Sequence, residues 1–183
     1  LEAVIGMAKA QWELDKAHSS ISFSVRHMMV SNVRGHFEEF DATVEADEND
    51  LASAEIDVTI HPNSINTRNE QRDSHLRSAD FFHADSHPHI KFKGVKLHHQ
   101  GGENHKLEGH LEIRGTSKPV ELNCEITGPL KDPYGNTRIG VIATGAINRS
   151  DFGITYNSAL ETGGVLIGDT VKLDINMEFI KKA

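Results

Sequence analysis

Thiols are almost missing from this chain. Cys124 is its single cysteine among 183 residues, which excludes an internal disulfide framework and a thiolate metal cluster. Long apolar runs are missing too: nothing approaches the ~18 consecutive residues of a membrane-spanning helix. A basic excess is lacking, with 19 Lys and Arg against 27 Asp and Glu and a net charge of -8. That balance argues against a general nucleic-acid binder or a protein inserted stably at an anionic membrane. No P-loop, G-x-G-x-x-G or G-x-S-x-G occurs, so the usual phosphate cradles and the nucleophile elbow are excluded. The opening "LEAVIGMAKAQWELD" has no basic stretch followed by a long apolar one, so it does not read as a secretory signal. We therefore expect a cytoplasmic protein. Leu1 to Gly6 read as a vector-derived remnant before a start at Met7, residues 1–10 as a disordered lead-in, and residues 11–183 as one domain.

What the chain has in abundance is alternation. Ile21, Phe23 and Val25 share one face of "SISFSV" while Ser20, Ser22, Ser24 and Arg26 share the other. Ile56, Val58 and Ile60 repeat the pattern, as do Leu107, Leu111 and Ile113 with Gly109 between them. The series Val171, Leu173, Ile175, Met177, Phe179 is the cleanest. A period of two with one apolar face marks half-buried antiparallel strands. Turn-forming clusters separate them at 47–50, 99–104, 114–119, 131–136 and 161–164. About eight strands result, and the long early one, His18 to Val33, is expected to bend near Ser31 and Asn32. Cys124 alternates with Leu122 and Ile126, so it reads as a small buried hydrophobe.

One segment breaks the period. From Asn66 to Ala79 no alternation survives, and Asn66 or Thr67 is placed to cap a helix through "RNEQRDSHLRS". Leu76 is its one strong apolar residue, so the helix must lean on other elements, with Phe81 and Phe82 as anchors. Many strands, one helix and no βαβ pattern predict an all-β fold: an eight-stranded antiparallel barrel with the helix near one end. Such a barrel is either filled by side chains or hollow enough for one small ligand.

Twelve histidines raise a second possibility, a histidine-based metal protein or stress-related enzyme. Its best cluster is His83, His87 and His89, but turn histidines beside a proline lack the fixed geometry and supporting shell of a metal site, and solvated side chains are the simpler reading. Asp73, Ser74 and His75 are adjacent in sequence, which on a helix points them apart and argues against a triad. Apolar Phe81, Phe82, Met28 and Met29 lying near Arg26, His27, Arg72 and Arg77 suit an amphiphile with a long tail and a polar head. The third possibility is a structural barrel with a filled core.

The blocks "WELDKAHSSISFSVRHMMVSNVRGHF", "NTRNEQRDSHLRSADFF", "HIKFKG", "GHLEIRGTSKPVEL", "GVIATGAINRSDFGI" and "IGDTVKLDINMEF" occur in one order and span nearly everything after residue 10. In this the chain resembles the YceI-like family. The resemblance implies a lipocalin-like extended barrel with a helix near one end and a long hydrophobic pore. It implies a polyisoprenoid, isoprenoid quinone or fatty amide as ligand, a homodimer, no defining catalytic activity and no cofactor beyond the bound lipid. Many members are exported, which this chain's opening does not match. Carried over by block, Phe23, Val25, Phe92, Leu111, Ile113, Leu122 and Ile147 would line the pore. His27, Met29, Phe81 and Phe82 would stand at its helix end, with Arg26 and Arg72 as head-group candidates. Asn148 to Gly153 would fix a strand junction, with Arg149 pairing to Asp151 or Asp73.

Overall fold

In a computed structural model, which describes residues 9–161 and 163–182, eleven strands form one antiparallel sheet that closes on itself. The strands are β1 (Ala10–Leu14), β2 (Ser20–His27), β3 (Ser31–Phe37), β4 (Phe40–Asp47), β5 (Asp50–Ile60), β6 (Ile65–Asn66), β7 (Ile90–Gly101), β8 (Asn104–Ile113), β9 (Thr116–Lys131), β10 (Thr137–Asn148) and β11 (Ile167–Lys181). The ring runs β1-β4-β5-β7-β8-β9-β10-β11 and returns to β1 through Trp12, Glu13 and Leu14 against Lys181, Ile180 and Phe179. The remaining three strands extend this ring. β2 continues β1 along the same edge of β11, β3 leads into β4, and β6 follows β5. Eight long antiparallel strands, three of them interrupted, thus enclose the barrel, which removes every free edge along their paired lengths.

β1 begins at Ala10, inside the expected lead-in; the rest of that stretch, residues 1–8, lies outside the described residues. Two other expectations are corrected. Residues 18–33 are not one bent strand but a tight hairpin. β2 ends at His27, the Val30 amide donates to the His27 carbonyl at 3.2 Å, and β3 returns from Ser31. Met28, Met29 and Val30 lie between them, and Met28 and Met29, with φ of 53° and 64°, are the left-handed pair at the centre of the turn that this hydrogen bond closes. Two methionines carry none of the Asn-Gly chemistry by which such a turn is read from sequence.

The second correction concerns the helix. Helix α1 spans Glu70–Arg77 and is capped by Asn69, whose side chain accepts from the Arg72 amide at 3.0 Å. Asn66 instead ends β6 and takes the Arg68 amide, and Thr67 serves as an anchor. Buried Asp73 accepts from both the amide and the hydroxyl of Thr67. Arg72 donates to that hydroxyl at 2.8 Å and to the Thr67 carbonyl at 2.7 Å. A short polar helix that could not stand alone is thereby tied to the strand before it. Arg77 adds a bond to the Asn63 carbonyl, and Leu76 packs on the core. No helix among the described residues is long and apolar enough to cross a membrane.

The two ends of the barrel are built differently. One carries the short turns at 47–50, 101–104 and 132–136. The other carries the Met28–Val30 tip, α1 with the segment up to His89, and the irregular stretch 149–166. Inward glycines shape the space between them. At Gly109 a Cβ would come within 2.4 Å of the Phe92 ring, and at Gly35 within 2.5 Å of the Phe23 ring. Lacking side chains, these positions leave room for the tips of both rings against the wall.

Candidate functional site

The inward face is largely apolar, yet it is not uniformly buried. At the turn end Trp12, Leu97, Met177 and Phe179 form a closed floor, and the Trp12 indole donates to the Ala46 carbonyl at 3.2 Å. At the helix end Phe81, Ile90, Phe152 and Ile154 are buried as well. Between them Val44, Ile56, Val58, Val141, Leu173 and Ile175 point inward but remain half-exposed. Close packing normally buries such residues to the last few percent. They are uncovered here because they face a cavity of about 430 Å³, which runs the length of the barrel. The bore is not a filled core, and its size lies within the ~300–1,000 Å³ common for small-molecule sites.

Its lining includes Phe23, Val25, His27, Phe81, Phe82, Phe92, Leu111, Ile113, Leu122 and Ile147, together with Arg26 and Arg72. Met29 is the exception. It stands on the hairpin tip, 51% exposed, with its thioether against Gly164 rather than in the bore. The two phenylalanines diverge. Phe82 meets Phe37 edge-on with ring centroids 5.9 Å apart, and Phe37 in turn meets Phe23 at 5.6 Å. Phe81 belongs to a second cluster with His75 and Tyr156, at 5.0 Å and 5.3 Å. Arg114 fixes it by donating to the Phe81 carbonyl at 3.0 Å.

The polar lining, Ser22, Arg26, His27, Arg72, His75, Arg149 and Tyr156, lies toward the helix end. His75 is bonded to Asp80 at 2.8 Å and meets the Tyr156 ring edge-on at 4.8 Å, whereas Asp73 turns to Thr67, so Asp73, Ser74 and His75 do not assemble into a triad. Arg149 corrects another expectation. It pairs with neither Asp151 nor Asp73. Buried to 8% exposure, it donates from Nε to the Gly168 carbonyl at 3.0 Å and from Nη1 to the Ile154 and Tyr156 carbonyls at 3.1 and 3.3 Å. Burial pushes its pKa down, partly countered by Asp169. Sequence reasoning missed it because arginine in a turn motif ordinarily signals an ion pair. Tyr156 and His75 were missed because they belong to irregular or charged segments where no period marks a facing direction.

The three clustered histidines do not converge on one point in this structure. His83 bonds Ser86 at 3.1 Å and lies 5.8 Å from His87 ring to ring, while His89 turns away to His61 at 5.1 Å. Among the described residues, the one group close enough to share an ion is Asp15, His18 and Glu178, and Arg138 already donates to both its carboxylates at 2.9 and 3.1 Å. Cys124 is buried at 3% exposure, which pushes its thiol up to about 11 and leaves it unreactive.

A closed antiparallel barrel around an apolar cavity, with most of its polar lining gathered toward one end, has the architecture of the hollow β-barrels. Residues 12–179 match the YceI-like domain. A UPF0312 protein of Staphylococcus aureus (strain N315) is 43% identical over 166 residues, covering 90% of this chain and 94% of that one. The crystal structure of a Campylobacter jejuni YceI protein is 36% identical, with a TM-score of 0.75 over 92% of this chain and 96% of its own. A domain from Saccharophagus degradans described as polyisoprenoid-binding shares the fold, with a TM-score of 0.66 and 17% identity over 93% of this chain and 98% of its own. The chain belongs to the YceI-like family.

Proposed function

We propose that the protein binds a long-chain amphiphile, a polyisoprenoid or similar lipid, and sequesters or carries it with the tail in the bore. The observation that supports this is the band of half-exposed apolar side chains around the 430 Å³ cavity. Each methylene transferred there from water contributes about 0.8 kcal/mol, so a tail needs no directional contacts to be held. The polyisoprenoid-binding description of the Saccharophagus degradans domain agrees with this reading. Phe81 and Phe82 then close the helix end over the tail, and the polar mouth receives the head.

Native mass spectrometry of the purified protein, followed by organic extraction and lipid analysis, tests the proposal. A stoichiometric long-chain lipid is expected, or uptake of a prenyl quinone or fatty amide by protein that emerges empty. Protein that is empty and takes up neither overturns it. Phe81→Ala with Phe82→Ala should lower lipid occupancy severalfold while far-ultraviolet circular dichroism stays that of the barrel. The same mass spectra report whether the protein is the expected homodimer.

A further inference from the structure

Beside the mouth of the bore stand apolar side chains that no described residue covers. Met28, Met29 and Val30 form the tip between β2 and β3, the last of them 79% exposed, and Val165 is exposed next to them. They make one patch, since the Met29 thioether rests on Gly164 and the Met28 amide donates to the carbonyl of Leu166, which lines the cavity. Tyr156, also exposed, lines the same cavity. Other large exposed apolar residues are scattered, Val95 and Ile142 along the strands and Leu130 and Tyr134 toward the turn end. Met28 and Met29 hold a left-handed backbone that an Asn-Gly pair would adopt freely. The side chains, and not the turn, are therefore what these positions require.

Behind the patch runs a basic row. Lys172 on β11, Ser24 on β2 and Arg34 on β3 lie side by side, and Arg26 follows Ser24 along β2, nearer the tip. All three cations are exposed, and the lysine and arginine ion pairs of the described residues belong to Lys9, Lys16, Lys106, Arg138 and Lys181 instead. Of the acids at this end, Asp169 is held by the amide and hydroxyl of Ser150, and Asp174 stands further from the tip, opposite Ser22. Asp151 and Glu161 stay exposed on the irregular stretch. The short turns of the opposite end carry Asp47, Glu48, Asp50, Glu103 and Asp132 in or beside them. A field of this polarity turns the tip toward an anionic surface. Apolar side chains with cations one step behind also match a bilayer boundary, where apolar groups enter the acyl region and Lys and Arg reach the head groups.

A second copy of this chain fits less well. The patch is a tip of a few side chains, well short of the roughly 800 Å² that each partner of a stable complex contributes. A two-fold contact there would also set Arg26, Arg34 and Lys172 against themselves. We infer that this tip docks the mouth of the barrel reversibly on an anionic lipid bilayer. The net charge of -8 opposes tighter adhesion, which suits a carrier that must leave again. What the docking serves rests on the amphiphile-binding reading above; the contact itself is tested apart from it.

The test is flotation of the full chain, at low salt, with vesicles of phosphatidylcholine alone and of equal parts phosphatidylcholine and phosphatidylglycerol. The mixed vesicles should bind at least about tenfold more protein, and less as salt rises. Val30→Asp should lower that binding about tenfold, and Arg34→Glu with Lys172→Glu should remove the preference for the anionic lipid, while circular dichroism stays that of the barrel. Tyr134→Ser, at a position 89% exposed toward the opposite end, should change neither. No binding to either vesicle, or equal loss in Val30→Asp and Tyr134→Ser, overturns the inference. So does a dimer that sedimentation velocity shows to be split by Val30→Asp, in protein that ignores vesicles. Native mass spectra of the same samples score the bore separately. Lipid in the bore without vesicle binding overturns the docking alone. Vesicle binding by protein whose bore takes up no lipid upholds the docking and overturns the carrier reading.

Discussion

Two arginines mark the two ends of this barrel, and they are treated in opposite ways. Arg138, at the turn end, is surrounded by carboxylates: Asp132 at 2.7 Å, Asp15 at 2.9 Å and Glu178 at 3.1 Å. Arg149, at the helix end, meets three carbonyls and, among the described residues, no acid within ion-pair distance. The first is a finished electrostatic clasp that pins β1, β10, β11 and the β9–β10 turn together. The second holds its geometry but keeps its charge. Around Arg138 the structure is short turns and a fully buried apolar floor. Around Arg149 it is an irregular segment, a short helix and a hairpin whose loop is in the left-handed region. One end is built to stay shut and the other to leave interactions available.

The largest effect should come from breaking the floor. Trp12 is 2% exposed, its indole is hydrogen-bonded, and it joins β1 to both β4 and β11. Trp12→Ala is expected to cost about 3–5 kcal/mol in urea denaturation, the range for deleting a large buried aromatic. At the opposite end, half-buried Leu76 on α1 should cost less as Leu76→Ala, about 2 kcal/mol. Equal losses would show that both ends contribute alike to the packing and would remove the contrast.

A second, smaller effect is electrostatic and belongs to the turn end alone. Hydrogen bonds from His18 and then Arg138 hold the Asp15 carboxyl down at about 2, against an ordinary 3.8. The stabilisation is therefore fully present above about 3.8 and is lost as pH falls through about 2. His18 behaves in the opposite sense. Its pKa is raised above 6.5, first by its bond to Asp15, so its contribution is present below 6.5 and is lost as pH rises through the raised value. Stability measured by urea midpoint should thus be highest in the mildly acidic range and fall on both sides. Arg138→Gln should shift the acid limb upward in pH, because Asp15 and Asp132 both lose the partner that holds them down. Arg72→Gln, made at the other end, should leave that limb in place. An acid limb unaffected by Arg138→Gln would mean that the clasp does not govern it.

The same contrast separates what could be read from sequence and what could not. Along β8, β9 and β11 the apolar face was legible, since Leu107, Leu111, Ile113, Leu122 and the Val171–Phe179 series all line the cavity as their period demands. Period two is a strong signal wherever one face is apolar and the other wet. The turn end was legible for a related reason, because Gly, Pro, Asp and Asn mark its loops. The mouth was not. Met28 and Met29 occupy a turn whose usual residues they are not. Asn66, Thr67 and Asn69 are all competent caps, and only tertiary contacts to Asp73 and Arg72 decide among them. Arg149 binds backbone carbonyls, which have no side-chain identity in a sequence. That the bore is hollow was not legible either. The same alternating residues could have met in the middle, and the room that Gly35 and Gly109 leave for the Phe23 and Phe92 rings carries no mark in the period.

The smallest predicted effect tests the strained tip directly. A left-handed residue other than glycine costs about 1 kcal/mol, and Met28 and Met29 each adopt that conformation. Met28→Asn with Met29→Gly supplies the favoured pair for this turn and relieves the backbone. Glycine's extra freedom in the unfolded chain and the lost packing of Met29 on Gly164 take back part of the gain. The net stabilisation in thermal denaturation should be about 0.5–1 kcal/mol, a shift small enough to need replicate melts. The tip is joined to the mouth, since the Met28 amide donates to the carbonyl of cavity-lining Leu166 at 2.8 Å. Stopped-flow uptake of hexadecanoic acid by this variant therefore separates two uses of the strain. Unchanged uptake makes the turn a matter of hairpin geometry alone. Slower uptake in a more stable protein would mean that the mouth opens by way of the tip, and that the strain is kept because a relaxed hairpin opens less readily.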